Sequence, residues 1–243
     1  MMYKFLGLLA VISVCSATIK VKIDVYYESL CPDSAAFITE QLYPVVKEDL
    51  KNYVDINWIP FGKSTFETRG SEVLFECHHG PNECYGNKVH SCAIDNIQAN
   101  SYEIEHTKAS LQLDFINCLM KIGKNFPDNK YPGEKCAREN HINNWENIQQ
   151  CANSTEGSQL LKKNGERTME FQNPLKSVPT IVFSEQYDDD RQRKALTNFR
   201  GFLCQYIAQS QPSPRVCQGI NSSGKNYIAP ILIVLGSAIS RLF

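Results

Sequence analysis

The sequence predicts an α/β fold carrying a helical insertion stapled by disulfides. Three observations predict it. The chain opens in the order strand, helix, strand. A long middle from about residue 64 to 176 holds most of the cysteines and shows no clear strand pattern. Strand character then returns near residue 180 and is followed by another helix.

The elements follow in order. In "VKIDVYY", Val21, Ile23, Val25 and Tyr27 fall on one face of an alternating run, which is the period of a strand. After the turn Cys31-Pro32-Asp33-Ser34, the apolar residues Ile38, Leu42, Val45 and Val46 recur at helical spacing. Pro44 lies inside that pattern and is expected to kink the helix, because it lacks a backbone donor. Val54, Ile56 and Trp58 alternate in a second strand, Val54 to Phe61. Strand, helix, strand favours a parallel pair joined by a right-handed crossover. In the middle, Leu113, Ile116, Leu119 and Met120 fit one helix, and Trp145, Ile148 and Cys151 another. "SVPTIVF", Ser177 to Phe183, reads as a third strand, and Ser184 to Asp189 as a turn with a short antiparallel strand. The charged run Asp188 to Lys194 reads as a solvated turn with an Asp capping the next helix, rather than as a binding patch. That helix carries Leu196, Phe199, Phe202, Leu203, Tyr206 and Ile207 on one stripe.

This order is that of a thioredoxin-like fold with a helical insert. In that fold a cis proline begins the third strand and faces the redox cysteine. Pro179 occupies that place, and cis bonds are rare outside X–Pro.

Residues 1–17 read as a secretory signal peptide, with Lys4, an apolar run from Phe5 to Val14, and small residues at Cys15 and Ala17. The mature domain is then 18–217, followed by a tail, 218–243. Net charge is −1 with no basic stripe, so no nucleic-acid partner is expected. Two sequons, at Asn153 and Asn221, fit a secretory route as glycosylation sites. Of ten cysteines, loss of Cys15 leaves nine, an odd number, so at least one stays unpaired in an oxidising compartment. Cys31 is the candidate, at a strand-to-helix turn and followed by proline. The other reading makes it a structural cysteine.

"CHHGPNECYGNKVHSC", Cys77 to Cys92, resembles the signature C-Q-H-G-x-x-E-C-x-x-N-x-x-x-x-C of the gamma-interferon-inducible lysosomal thiol reductase family. Cys77, His79, Gly80, Glu83, Cys84, Asn87 and Cys92 match it; His78 stands where the family has Gln. The resemblance takes in the CPDS turn, the cysteine-rich middle and the V-P-T strand. It implies reduction of protein disulfides in acidic endosomes and lysosomes. It also marks Cys31 as the counterpart of the family's nucleophile. The family's C-x-x-C, however, ends here in Ser34, which replaces the resolving cysteine.

The chemistry of CPDS bounds what remains. The thiolate is the attacking species in disulfide exchange. A helix N-terminus at Cys31 favours negative charge there, and Pro32 suits the first helical position. A Ser34 hydroxyl within reach would donate to the Cys31 sulfur; the Asp33 carboxylate opposes the thiolate. Ser34 cannot resolve a mixed disulfide, so a small thiol, glutathione or cysteine, is the expected reductant, and no cofactor is expected. The partners implied are disulfide-containing client proteins. The alternatives are a member that retains clients without turnover, and a redox-inactive member whose fold serves recognition.

Cys77, His78, His79, Cys84, His90 and Cys92 include ligand types for zinc, but they lack a short C-x-x-C clamp, so disulfides are expected and no metal is assigned. The C-terminal apolar run from Ile228 is short for a membrane span. With the small residues Asn221 to Gly224 upstream, it suggests a lipid-anchor signal as an alternative to a cleaved propeptide or a packed tail. The expected location is therefore the secretory pathway: secreted, lysosomal or endosomal, or anchored at the cell surface.

Overall fold

The computed structural model describes residues 18–99, 106–123 and 131–218. The expected signal peptide, Asn221 and the apolar tail lie outside the described residues. No helix among the described residues is long and apolar enough to cross a membrane.

A three-stranded sheet organises the domain, with Val21–Tyr27 as its central strand between Val54–Pro60 and Thr180–Phe183. The strand β1 (Val21–Tyr27) pairs parallel with β2 (Val54–Pro60), Val21 opposite Val54 and Tyr27 opposite Pro60. It pairs antiparallel with β5 (Thr180–Phe183), Ile23 opposite Phe183 and Tyr26 opposite Thr180. Alternation along β1 sends Ile23, Val25 and Tyr27 into the main core, while Tyr26 enters a smaller core with Ile59, Leu175 and Val182. Both faces are thus covered, as a central strand with a parallel neighbour requires. The architecture is thioredoxin-like.

Between β1 and β2 the chain forms the helix α1 (Pro32–Ala36), which continues as wider π-type turns over Phe37–Leu42 and Val45–Leu50. The helical path does not break at Pro44, whose backbone is helical at φ −61°, ψ −38°. Wider turns on either side accommodate a residue that has no N–H to give and whose ring would crowd the preceding turn. Phe37, Ile38, Leu42, Val46 and Leu50 all enter the main core.

The insertion differs from expectation at its start. Residues 65–76 are an antiparallel hairpin, β3 (Thr65–Arg69) with β4 (Glu72–Glu76), in a separate sheet. Its strand pattern is faint because only Phe66, Val73 and Phe75 are shielded, and the other side chains face water. The Gly70–Ser71 connection between paired Arg69 and Glu72 is the sequence signal that was available. Among the described residues, five helices follow: α2 (Pro81–Asn96), α3 (Lys108–Ile122), α4 (Gly133–Glu139), α5 (Trp145–Ala152) and α6 (Thr155–Phe171). The helix α3 has two working faces. Leu113, Ile116 and Met120 pack into the main core, while Leu111, Phe115 and Leu119 pack into the insertion's own core with Val89, Ile97 and Ile148.

The C-terminal part departs from expectation twice. The antiparallel strand after β5 is reduced to a single bridge, Phe183 to Gln186, because Ser184 and Glu185 turn the chain sharply with φ of 48° and 64°. The expected single helix is two, α7 (Asp189–Thr197) and α8 (Phe199–Ile207), parted at Asn198. Asn198 leaves helical geometry and its Oδ1 accepts the Gly201 amide at 3.0 Å, a cap inside an otherwise continuous apolar stripe. Asp188 caps α7 by accepting the Arg191 amide at 2.8 Å.

Candidate functional site

β1 delivers the chain to the site. Past Tyr27 it turns through Glu28, Ser29 and Leu30 into α1, and Cys31 is the residue capping that helix, at φ −67°, ψ 122°. Its amide donates to the Glu28 carbonyl at 3.3 Å, and its carbonyl accepts the Ala35 amide at 3.0 Å. Pro32 opens the helix, where its missing donor is not needed. Cys31 is the free cysteine among the described residues, and it is buried, 5 % exposed. The other cysteines there are paired: Cys77–Cys84, Cys92–Cys151, Cys118–Cys136 and Cys204–Cys217.

Ser34 lies in the first turn of α1, fully buried, and its Oγ has no hydrogen-bond partner. The expected hydrogen bond from Ser34 to the Cys31 sulfur is therefore absent. The hydroxyl is turned into the packed interior, where the helix places its third residue. Asp33 is exposed, so water screens its carboxylate. The Val178–Pro179 bond is cis. Continuing the β1–β5 register one step beyond Tyr26–Thr180 sets Pro179 opposite Tyr27, at the end of β1 from which the Cys31 turn leaves.

The Cys77–Cys92 segment is a disulfide-closed loop running into α2. Cys77–Cys84 closes seven residues around Gly80, whose φ of +86° lies where a side chain is strained. Glu83, fully buried in the first turn of α2, ties the loop down. Its Oε1 accepts the His79 amide at 3.0 Å and its Oε2 lies 2.6 Å from His79 Nδ1. Asn87, one turn on, accepts the Ser29 amide on its Oδ1 at 2.9 Å, and the Glu83 carbonyl accepts from Ser29 Oγ at 3.1 Å. Glu83 and Asn87 therefore hold the turn that carries Cys31. Cys92 acts further away, bonding α2 to α5 through Cys151. These pairings dissolve the zinc set considered from sequence: Cys77, Cys84 and Cys92 have no thiolate to offer a metal.

Glu28, Gly62 and Tyr131, which the sequence did not single out, complete the site together with His78, His79 and His90. Glu28 is fully buried; Gly62, at φ +60°, makes room for it, and a side chain at that position would overlap its carboxylate. The Lys63 amide donates to Glu28 Oε1 at 2.7 Å. Burial pushes the Glu28 carboxyl above its ordinary value, and nearby Glu83 pushes the same way. Glu28 Oε2 faces the Nδ1 atoms of His78 and His79, 3.4 Å from each. Behind the turn, buried His90 joins two phenols, its Nδ1 2.8 Å from the Tyr27 hydroxyl and its Nε2 2.6 Å from that of Tyr131. Burial lowers the His90 pKa to about 3, so the ring is neutral and donates to one phenol while accepting from the other. The only sequence signal for Glu28 was its place directly after β1. Tyr131, 41 residues from His90, had none.

Of the sequons, Asn153 is exposed between α5 and α6.

A family profile described as "Gamma interferon inducible lysosomal thiol reductase (GILT)" matches residues 22–140. The chain is 60 % identical over 224 residues to "GILT-like protein 1" of Drosophila melanogaster, covering 92 % of this chain and 89 % of that one. It is 50 % identical over 245 residues to "Gamma-interferon-inducible lysosomal thiol reductase-like protein" of Anopheles gambiae, covering 100 % of both. In fold it is similar to oxidised BdbD from Bacillus subtilis, at a TM-score of 0.50 and 13 % identity, over 78 % of this chain and 86 % of that one. The signature loop that braces the Cys31 turn and the full-length likeness to two insect relatives lead to one assignment: the chain belongs to the gamma-interferon-inducible lysosomal thiol reductase family.

Proposed function

We propose that this chain is a thiol–disulfide oxidoreductase acting on protein disulfides by a monothiol route through Cys31. One observation carries the reading: Cys31 is free while its eight neighbours in the count are paired, and it caps a helix at the end of the central strand, with Ser34 where a resolving cysteine would stand. The family's description as a thiol reductase family supports the reaction class.

The electron count fixes the steps. The Cys31 thiolate attacks a client disulfide; one S–S bond forms, one breaks, and a client thiolate leaves. A small thiol such as glutathione or cysteine attacks the mixed disulfide at the Cys31 sulfur and releases the second client thiol. A second small thiol then frees Cys31. The sum is client disulfide plus two small thiols giving client dithiol plus one small-molecule disulfide. Ser34 takes no part, because a hydroxyl cannot supply the electron pair that a thiolate supplies. The lack of a resolving cysteine costs the high effective concentration of an attached second thiol, which for well-oriented groups reaches about 10⁵ M or more.

Clients are disulfide-containing proteins of the secretory pathway, in a compartment that maintains the four structural disulfides. Within it, endosomal or lysosomal residence, secretion and surface attachment by a C-terminal lipid anchor are the outcomes to separate by fractionation. A second reading, a protein that retains its client covalently, is favoured by Ser34 and by the small exposure of Cys31.

Intact-mass measurement of the mature protein with a disulfide peptide, with and without glutathione, tests both. An adduct mapped to Cys31 that clears with glutathione and releases reduced peptide catalytically supports the monothiol enzyme. A persistent adduct supports retention. No adduct, or one that survives Cys31→Ser, overturns both. Ser34→Cys is expected to raise turnover by at least about 10-fold if resolution is the slow step.

A further inference from the structure

The geometry points to a divalent metal site, of zinc-like preference, formed by Glu28, His78 and His79. This site does not depend on the thiol chemistry of Cys31. It also differs from the cysteine-rich set considered from sequence, because Glu28 comes from the turn after β1, 50 residues before His78.

The distances suit a metal cradle. Glu28 Oε2 lies 3.4 Å from His78 Nδ1 and 3.4 Å from His79 Nδ1. An N–H···O bond is commonly about 2.9 Å, so both contacts are long for hydrogen bonds. Around tetrahedral zinc, with bonds of about 2.0–2.1 Å, neighbouring ligand atoms stand roughly 3.3–3.4 Å apart. The two edges have the length that zinc sets. One ligand atom from each of the three residues falls within 4.8 Å of the others.

The surroundings complete the cradle. Glu28 Oε1 is occupied by the Lys63 amide at 2.7 Å, which aims Oε2 at the histidines. Such outer contacts orient metal ligands. Glu83 Oε1 is likewise held by the His79 amide at 3.0 Å, leaving Oε2 beside His79 Nδ1 at 2.6 Å. On binding, the metal takes His79 Nδ1 as an unprotonated ligand, so the hydrogen bond between that atom and Glu83 Oε2 is given up. Two carboxylates buried side by side are costly without a cation, and one divalent ion offsets both. His78 and His79 face solvent, which provides the entry path. His78 is also where this chain departs from the family pattern, which has Gln. The metal would join the Cys77–Cys84 loop to the turn that carries Cys31, since the Cys31 amide already bonds the Glu28 carbonyl.

The test is zinc titration of the mature full-length chain, free of affinity histidines and carrying Cys31→Ser so that no thiol competes. Calorimetry is read together with metal counted by mass spectrometry after dialysis. One zinc per chain is expected. His78→Gln, which restores the family residue at an exposed position, is expected to weaken binding by about 10-fold or more. Glu28→Gln is expected to do the same, while His141→Gln is expected to leave binding unchanged. Circular dichroism of the metal-free variants verifies that each is folded. Failure to retain zinc, or equal retention by folded His78→Gln, overturns the site.

Discussion

Ser34 shows how a single residue separates chemistry from packing. Its hydroxyl is fully buried beside the free thiol and has no partner. A buried, unpaired hydroxyl costs about 1–3 kcal/mol. Ser34→Ala is therefore expected to be neutral or stabilising by up to about 1 kcal/mol, rather than destabilising as loss of a bonded serine would be. Urea midpoints read this directly; a loss of more than 1 kcal/mol would mean the hydroxyl is satisfied in solution. The serine was legible in the sequence, and its chemical consequence followed at once from the missing sulfur. Its orientation was not legible, since a residue at that position in the first turn can face either the cap or the core.

At the scale of elements, the signature segment is a brace. On α2 the backbone carbonyl of Glu83 and, one turn on, the side chain of Asn87 both hold Ser29. The disulfides work on different lengths. Cys92–Cys151 spans 59 residues and Cys77–Cys84 spans seven. Loop-closure entropy assigns about 4 kcal/mol to the first and about 2 kcal/mol to the second. Replacing both cysteines of the long bridge by Ala is expected to cost more thermal stability than replacing those of the short one. Equal melting shifts would refute the entropic account here. The hairpin β3–β4 and the break at Asn198 mark the limits of reading elements from pattern. A mostly exposed hairpin has little apolar alternation to reveal it, and a side-chain cap interrupts a stripe without altering its spacing.

Over the whole molecule, pH acts on the buried groups in opposite senses. His90 has its pKa lowered from 6.5 to about 3 by burial, so the unfolded chain binds more protons than the folded one between those values. The stability it contributes is complete above about pH 6.5 and is lost as pH falls towards 3, at up to about 1.4 kcal/mol per pH unit. Glu28, raised by burial, contributes the reverse: its share is present below the ordinary carboxylate pKa and is lost as pH rises through the raised value. The two can be separated with His90→Gln, which keeps a donor and an acceptor between the phenols but does not titrate. Relative to that variant, the wild type is expected to lose stability progressively from pH 6.5 to 4. Parallel unfolding curves would show that His90 is charged in the folded state.

Periodicity and counting are properties of the chain alone. They sufficed for β1, β2 and β5, for the helix after Cys31 and for the odd number of cysteines, while the family followed from the resemblance of the Cys77–Cys92 segment to a known signature. Tertiary structure decided the rest, because it depends on which distant side chains meet. Glu28 meets His78 and His79, Ser29 meets Asn87, Tyr27 meets Tyr131 through His90, and Cys92 meets Cys151 only once the sheet register and the packing of α2 bring them together. Burial belongs to the same class. A glutamate in a sequence is a surface charge by default, and only the enclosure of Glu28 beneath Gly62 and Lys63 turns it into a desolvated carboxylate aimed at two imidazoles.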